Sequence, residues 1–496
     1  MAGFRLIELA KPFAPLLPEV ELPYEKIGFD DKVVYTICAA LIYVFGQFPL
    51  AGLAKNSGLE EQGSAGAVLD PIYFVRGVFA AEPKTLLEFG IFPVVSSALI
   101  MQVLAGLKLV RVNFKVRQDR ELFQTSTKLF AILQYVVLAN VFIFSGYYGT
   151  ALSVFQIVLL NLQLAAAGLF VTLLVEVIDK GYGFASGAMA ITTINIATNF
   201  AADVLGVNQI LVDSEGHREA QGAVINLFQS LRSSHKTIVG GIVGAFNRDY
   251  LPNLTTSLLV IALAGAVCLL NNFRFELPIR STRARGVNNV YPIRLLYVGG
   301  LSVLFSYVLL FYIHILAFIL VQVVARNDPS SLLYKIIGGY ASSNNLLYVP
   351  QFPLSLLTPP KSFIECLTRQ PFTPFVFSAF MIVTGIWFAG LWQAISGASA
   401  RDISVQFKDQ GITLTGHREQ GITKELEKIV PVASTTGAGI LAILVVVGEL
   451  LGLKGKGASI IVGVSGAFSL LELITAEFQQ SGGQSALTQV LGVTGA

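Results

Sequence analysis

Apolar positions in this chain come in long unbroken blocks, and the charged positions are confined to the gaps between them. A hydrocarbon slab about 30 Å thick is crossed by about 20 residues of helix, and an isolated charge at its centre costs several kcal/mol. Runs free of Asp, Glu, Lys and Arg are therefore the ruler. They are Val33 to Ala54, Phe89 to Leu107, Leu129 to Val175, Gly181 to Ala202, Leu251 to Phe273, Leu295 to Ala325, Gln370 to Ala400, Ile429 to Gly448 and Gly457 to Leu471. The third has 47 residues, roughly 70 Å as a single helix, and contains the turn-like Ser145-Gly146-Tyr147-Tyr148-Gly149, so it reads as two spans. Ten membrane helices are expected, the last the shortest at 15 residues before Glu472. An even number puts both termini on one side.

The 48-residue polar stretch 203–250 divides the spans five and five. With an odd number of spans each, two related halves would sit upside down relative to one another around a central crevice. The expected fold is an all-α polytopic membrane protein of two pseudo-symmetric, inverted five-helix halves. Its segments would be a cytosolic amphipathic stretch 1–32, an N-terminal half 33–202, a luminal hinge-side loop 203–250, a C-terminal half 251–476 and a cytosolic tail 477–496. The first segment, RLIELAKPFAPLLPEV, mixes apolar residues with Arg5, Glu8 and Lys11, and its prolines cut it short; an interfacial amphipathic helix is expected. It lacks a short apolar core with a small-residue cleavage site, so no cleavable signal peptide is expected and the first span stays.

Composition agrees. Of 496 residues 54% are hydrophobic and 13% charged, with a mean hydropathy of +0.67, about half the charged share usual for a soluble domain. The net charge of +3 is too small for a partner that must neutralise many phosphates at once. Location matters more. A cytosolic N-terminus places 21 of the basic residues on the cytosolic side and 13 opposite, the arrangement that the positive-inside rule favours. Cys38, Cys268 and Cys366 are far apart without a CxxC pair, and His217, His235, His314 and His417 show no ligand spacing. No disulfide framework, metal or cofactor is expected.

Three features could carry function. Asp70 to Glu82, DPIYFVRGVFAAE, is apolar yet too short to span, and reads either as a re-entrant helix lining a cavity or as a helix lying on the surface. The loop 274–294 crowds Arg280, Arg283 and Arg285 into ELPIRSTRARG, and the loop 401–428 sets Lys408, His417 and Arg418 beside a DQG turn signal. Exposed guanidinium groups suit phosphate contact, although such loops also serve purely as topology determinants. Gly463-Val464-Ser465-Gly466 and His314 formally permit an intramembrane serine protease, and the acids Glu176, Asp179, Glu449 and Glu472 a secondary transporter. Long charge-free interiors fit a hydrophobic polypeptide client better than an ion or charged solute.

The blocks KPFAPLLPEVE, FGQFPLAGL, DPIYFVRG, QDRELFQ, DKGYGFASGA, NRDYLPN, ELPIRSTRARG and FKDQGITLTGHRE lie in the order in which they occur in the SecY family, and the chain resembles the eukaryotic Sec-sixty-one alpha branch of it over nearly its whole length. The details YLPNLTT, WFAGLWQAISG and QQSGGQSALTQVLGV resemble a second, paralogous yeast branch more than the main one. The resemblance implies a protein-conducting channel of the endoplasmic reticulum. It would have an hourglass pore, a plug helix and a lateral gate framed by the second, third, seventh and eighth spans. By motif matching the plug is Asp70, Pro71, Ile72, Tyr73, Phe74, Val75, Arg76, Gly77, Val78 and Phe79, continuing to Glu82. The pore ring is Ile91, Val95, Ala188, Thr192, Leu304 and Val462, two of them small or polar. At the gate, positions that carry a polar cluster in the family read Ser96, Leu138 and Tyr312. Arg283, Arg285 and Arg418 are implied ribosome contacts, to ribosomal RNA and proteins. Further implied partners are a signal-bearing nascent polypeptide, small gamma-type and beta-type subunits, and membrane lipid. No GxxxxGK[ST] loop is present, so the implied role is a conduit and not an enzyme.

Overall fold

The computed structural model describes residues 6–53, 70–114, 116–149, 152–184, 186–211, 218–232, 238–246, 248, 251–281, 288–326, 328–343, 347–360, 367–368, 370–414 and 419–480. The N-terminal half comprises α1 (Phe29–Phe45), the short α2 (Tyr73–Arg76), α3 (Phe92–Gly106), α4 (Arg117–Phe144), α5 (Val154–Val177) and α6 (Gly187–Leu205). The connecting stretch forms β1 (Gln209–Leu211), β2 (Arg218–Ala220), α7 (Ala223–Arg232) and α8 (Ile238–Phe246). The second half runs α9 (Leu254–Asn271), β3 (Arg274–Ser281), β4 (Asn288–Arg294), α10 (Leu301–Phe318), α11 (Leu332–Ile337), β5 (Tyr340–Ser343), β6 (Leu347–Pro350), α12 (Thr373–Ile395), α13 (Ala400–Gln410), β7 (Ile412–Leu414), α14 (Glu419–Leu450) and α15 (Lys456–Gln480).

Among the described residues, eight helices are long and apolar enough to cross a membrane: α4, α5, α6, α9, α10, α12, α14 and α15. The two other expected spans form α3, apolar but only 15 residues long, and α1, 17 residues with Asp30, Asp31 and Lys32 in its first turns. The 47-residue run breaks where the turn residues stand, with Gly146 and Gly149 at positive φ. α5 restarts on a capping box, Ser153 N–H donating to Gln156 Oε1 at 2.8 Å. Asn253, although in an Asn-Leu-Thr sequon, uses its side-chain oxygen to cap α9 through Thr256 N–H at 2.8 Å.

Two expectations are corrected, and the two basic loops prove to be joined. The last span does not stop at Glu472: Arg294 pairs with Glu472 and Lys32 with Glu477, so α15 extends for 25 residues. The Lys32–Glu477 pair, with Phe29 against the Phe478 ring, also puts the start of α1 and the end of α15 on one face. The N-terminal segment makes two 3-10 turns, Leu6–Ala10 and Ala14–Leu16, and not a longer amphipathic helix, because Pro12 and Pro15 interrupt it; Ile7 and Ala10 are nevertheless buried. The loop 274–294 is an antiparallel hairpin, and β7 from the loop 401–428 adds to it as a third strand, Arg280 opposite Thr413. A separate apolar cluster including Leu277, Ile293, Ile403, Phe407 and Leu426 supports this sheet, and Gly411 in the left-handed region ends α13 at the expected turn.

Close helix contacts rest on small residues. At Gly168 of α5 a Cβ would overlap the buried Tyr135 ring of α4, whereas at Gly390 of α12 it would meet nothing within 4 Å. Gly168→Ala is therefore expected to lose about 1–3 kcal/mol by overpacking. Gly390→Ala should be neutral or stabilising through helix propensity. Thermal unfolding of the two variants in detergent micelles checks the contrast.

Candidate functional site

The segment after residue 70 enters the protein and does not lie on its surface. α2 and the 3-10 turn Gly77–Phe79 are buried, and Ala80 turns the chain back with φ of 53°. Arg76 organises it. Its Nε pairs with Asp70, its Nη2 reaches Glu88 Oε1 at 2.6 Å and Tyr147 Oη at 3.2 Å, and its Nη1 donates to the Glu88 carbonyl at 2.7 Å. Glu88 Oε2 in turn accepts from Lys84 N–H at 2.6 Å. Arg76 is 6% exposed and Glu88 0%, so the group stands almost entirely on its own internal bonds. Burial alone would pull the Arg76 guanidinium down, but Asp70 and Glu88 outweigh it and hold it above its ordinary value. Burial pushes the Glu88 carboxyl up, with Arg76 opposing, and Glu82 is raised in the same way.

Apolar contacts seat the segment among helices of both halves. Phe74 meets the His314 ring of α10 edge-on at 4.9 Å, and Phe79 meets Phe92 at 5.0 Å. Tyr43 Oη of α1 donates to the Ala80 carbonyl at 2.7 Å. Gly455, at φ of 92°, lies so close to Phe74 that a Cβ would overlap the Phe74 carbonyl.

Around this segment lie the six ring candidates. Ile91, Val95, Leu304 and Val462 belong to one continuous buried cluster spanning both halves, and Ala188 packs partly buried against it. Thr192 is buried beside them, and its hydroxyl donates to the Ala188 carbonyl at 2.7 Å, which leaves its methyl to face the neighbours.

Along one seam α3 faces α10 and α12. Phe92 lies 3.7 Å from Phe311 and 5.4 Å from Tyr312 between ring centroids, and Gly106 abuts Ile395. Within the second half, Ser306 Oγ and Thr384 Oγ1 bond at 2.9 Å, and Phe305 stacks on Phe388 at 4.3 Å. Ser96 donates to Gln134 Oε1 at 2.7 Å, and the Tyr312 hydroxyl of α10 faces this pair from across the seam. Gln134 was not among the residues that the sequence suggested. It stands one turn before Leu138, which packs in the apolar core and takes no part in this pair. Its signal was a lone amide in the run LFAILQYVVL.

Several other candidates are held apart or bonded elsewhere. Ser465 lies beside Gly300, whereas His314 is about 21 Å further along α10 and bonds the Leu310 carbonyl and Thr358 Oγ1. The span-end acids are engaged: Glu176 with Lys128 and Lys180, Asp179 with Gly187 N–H, Glu449 with Gly455 and Ala458 N–H, Glu472 with Arg294. Arg283, Arg285 and Arg418 lie outside the described residues.

The SecY family profile matches residues 85–471, and the plug domain of Sec61p matches residues 41–83. The chain belongs to the SecY family. It is 64% identical over 496 residues to the Sec sixty-one protein homolog of Saccharomyces cerevisiae, covering 100% of each. It is 36% identical to the protein transport protein SEC61 subunit alpha of Candida albicans, covering 96% of this chain and 97% of that one. The higher figure agrees with the paralogous-branch details of its motifs. A solved structure of the idle yeast Ssh1 complex bound to the yeast 80S ribosome superposes with a TM-score of 0.78 at 64% identity, covering 100% of each chain. A solved protein conducting channel, 22% identical and covering 96% of this chain and 97% of that one, shares the fold with a TM-score of 0.73. SecY-family chains are channels, and this one is not an enzyme.

Two measurements test the geometry. Arg76→Met strands two buried carboxylates, about 3–5 kcal/mol. Maleimide labelling of a cysteine at Val78 should then accelerate by roughly a hundredfold to a few thousandfold. Removing all three charges, with Asp70→Asn and Glu88→Gln added, should restore slow labelling. Tyr312→Phe keeps the ring on Phe92 and loses only the hydroxyl's contact with Ser96 and Gln134, whereas Tyr312→Asn removes the ring from Phe92 as well. A cysteine pair at Gly106 and Ile395 should oxidise slightly more slowly in Tyr312→Phe than without it, and markedly more slowly in Tyr312→Asn.

Proposed function

We propose that the chain is the pore subunit of a protein-conducting channel in the endoplasmic reticulum membrane. It passes ribosome-fed nascent polypeptides across the bilayer and releases signal and transmembrane segments sideways into lipid. The observation that carries this reading is the non-spanning segment 70–82, seated between helices of both halves and fixed by Arg76. A short segment lodged at that point closes a path, and one buried cation with two carboxylates is a lock that opens as a unit. Ile91, Val95, Ala188, Thr192, Leu304 and Val462 form the constriction. Burial of five of them supports a closed, dewetted ring, and the inward-bonded Thr192 hydroxyl keeps its surface apolar.

The seam between α3 and α10/α12 is the lateral exit, with Ser96, Gln134 and Tyr312 as its polar residues and Leu138 in its apolar wall. Both termini face the cytosol, supported by the basic-residue bias and by the Lys32–Glu477 contact that joins them. Arg283, Arg285 and Arg418 dock the ribosome; their loops root in one three-stranded sheet, and the related Ssh1 complex was solved on a ribosome. Gamma-type and beta-type subunits complete the complex. The driving force comes from chain elongation or a luminal puller.

A photo-crosslinking amino acid at Leu304, in microsomes presented with a ribosome stalled on a signal-bearing chain, tests this. A ribosome-dependent crosslink to that chain is expected. Absence of a crosslink at both Leu304 and Ile91, with the ribosome still bound, would remove the pore assignment.

A further inference from the structure

The connection between the two halves contains a helix that the channel reading leaves unused. α8 reads IVGGIVGAF, nine residues without a single hydrogen-bonding side chain, inside a stretch that as a whole is polar. Gly241 and Ala245, four residues apart on one face, are buried, Gly241 close to the Ser230 carbonyl of α7. The remaining circumference is open: Val239 is 71% exposed, and Ile242, Val243 and Phe246 are exposed with it. Phe228 and Leu231 extend the apolar patch onto α7. A helix facing water carries polar residues on its free side, and this one carries none.

Its position decides what covers that side. Thr255 Oγ1, in the first turn of α9, donates to the Phe246 carbonyl at 2.9 Å, so α8 ends where α9 begins. α9 is a membrane-crossing helix by length and composition, and Leu258 and Ile261 on it are exposed apolar side chains. The exposed apolar residues of α8 therefore adjoin the first turn of that span. The same bond satisfies the final carbonyl of α8, as a backbone group in apolar surroundings requires. A cavity of about 240 Å³ lined by both Gly77 and Thr256 puts this end of α9 on the side of the plug segment.

We propose that α8, with the adjoining edge of α7, lies in the bilayer at the boundary of headgroups and acyl chains, in the leaflet on the plug side, with Val239, Ile242, Val243 and Phe246 among the acyl chains. Nine residues of helix extend about 14 Å, too short to cross and long enough to lie flat. The partner is lipid hydrocarbon, and because α8 carries no charge, its insertion is independent of anionic headgroups. The link between the halves is thereby moored to the membrane near its C-terminal end.

The test uses the full chain in nanodiscs of zwitterionic lipid, its three cysteines replaced and a single environment-sensitive NBD label placed at Val243. A blue-shifted emission is expected. Lipid spin-labelled near the headgroup should quench it more strongly than lipid labelled deep in the acyl chain, with iodide in the buffer without effect. Ile261 on α9 supplies the deep calibration, and a label at Ile242 should repeat the Val243 result. Quenching by iodide would overturn the proposal in favour of a water-facing helix. Protection from both quenchers would overturn it in favour of a protein cover.

Discussion

Inside hydrocarbon a peptide group finds no water, and each one left unpaired costs several kcal/mol. The irregular segment before α3 obeys that constraint. Between α2 and α3 the backbone leaves helical geometry at membrane depth, yet its groups are bonded within the chain. Ala81 N–H donates to the Arg76 carbonyl at 3.1 Å, Glu82 N–H to Leu87 at 3.1 Å, and Ile91 N–H to Phe79 at 3.0 Å. Tyrosine hydroxyls from α1 and α4 cover the carbonyls of Ala80 and Gly90 at 2.7 and 2.6 Å. A segment this irregular is stable only because helices from both halves surround it.

The two closures differ in physical character. The plug is held by charge in a medium that makes separation of charge expensive, so intermediate positions of Arg76 are costly and the segment is either seated or out. The seam is held by rings and by the neutral contact of the Tyr312 hydroxyl with Ser96 and Gln134. Such contacts are lost gradually, each step costing on the order of 1 kcal/mol. The plug segment and the seam thus have two different kinds of stiffness.

What the sequence made legible followed from local rules. Charge-free runs located the membrane helices, glycines located the break after Phe144, and an apolar block too short to span left a re-entrant and a surface helix open until the family resemblance marked it as the plug. What it concealed was pairing between distant positions. Arg76 was visible, but Glu88, the carboxylate that completes its shell, lies outside the plug motif. Glu472 marked an early end for α15 because its partner, Arg294, is far away in sequence. Pro278 and Pro292 hid the β3–β4 hairpin, since a strand in a small extramembrane sheet tolerates a proline that a central strand would not. Gln134 was passed over one turn from Leu138 because motif matching fixes the helix and leaves its rotation free. α8 was masked by the polar residues around it.

The strand pairing Ile279 to Leu414 joins two loops that are more than a hundred residues apart in sequence. Their roots stand one strand spacing apart, about 4.8 Å. Anything that touches both tips therefore makes its second contact at a distance the sheet has already set. The second contact is intramolecular, with an effective concentration that a free surface charge lacks, and two individually weak contacts combine as avidity. Loss of the β3–β7 pairing would leave every arginine in place and still separate the two contacts energetically.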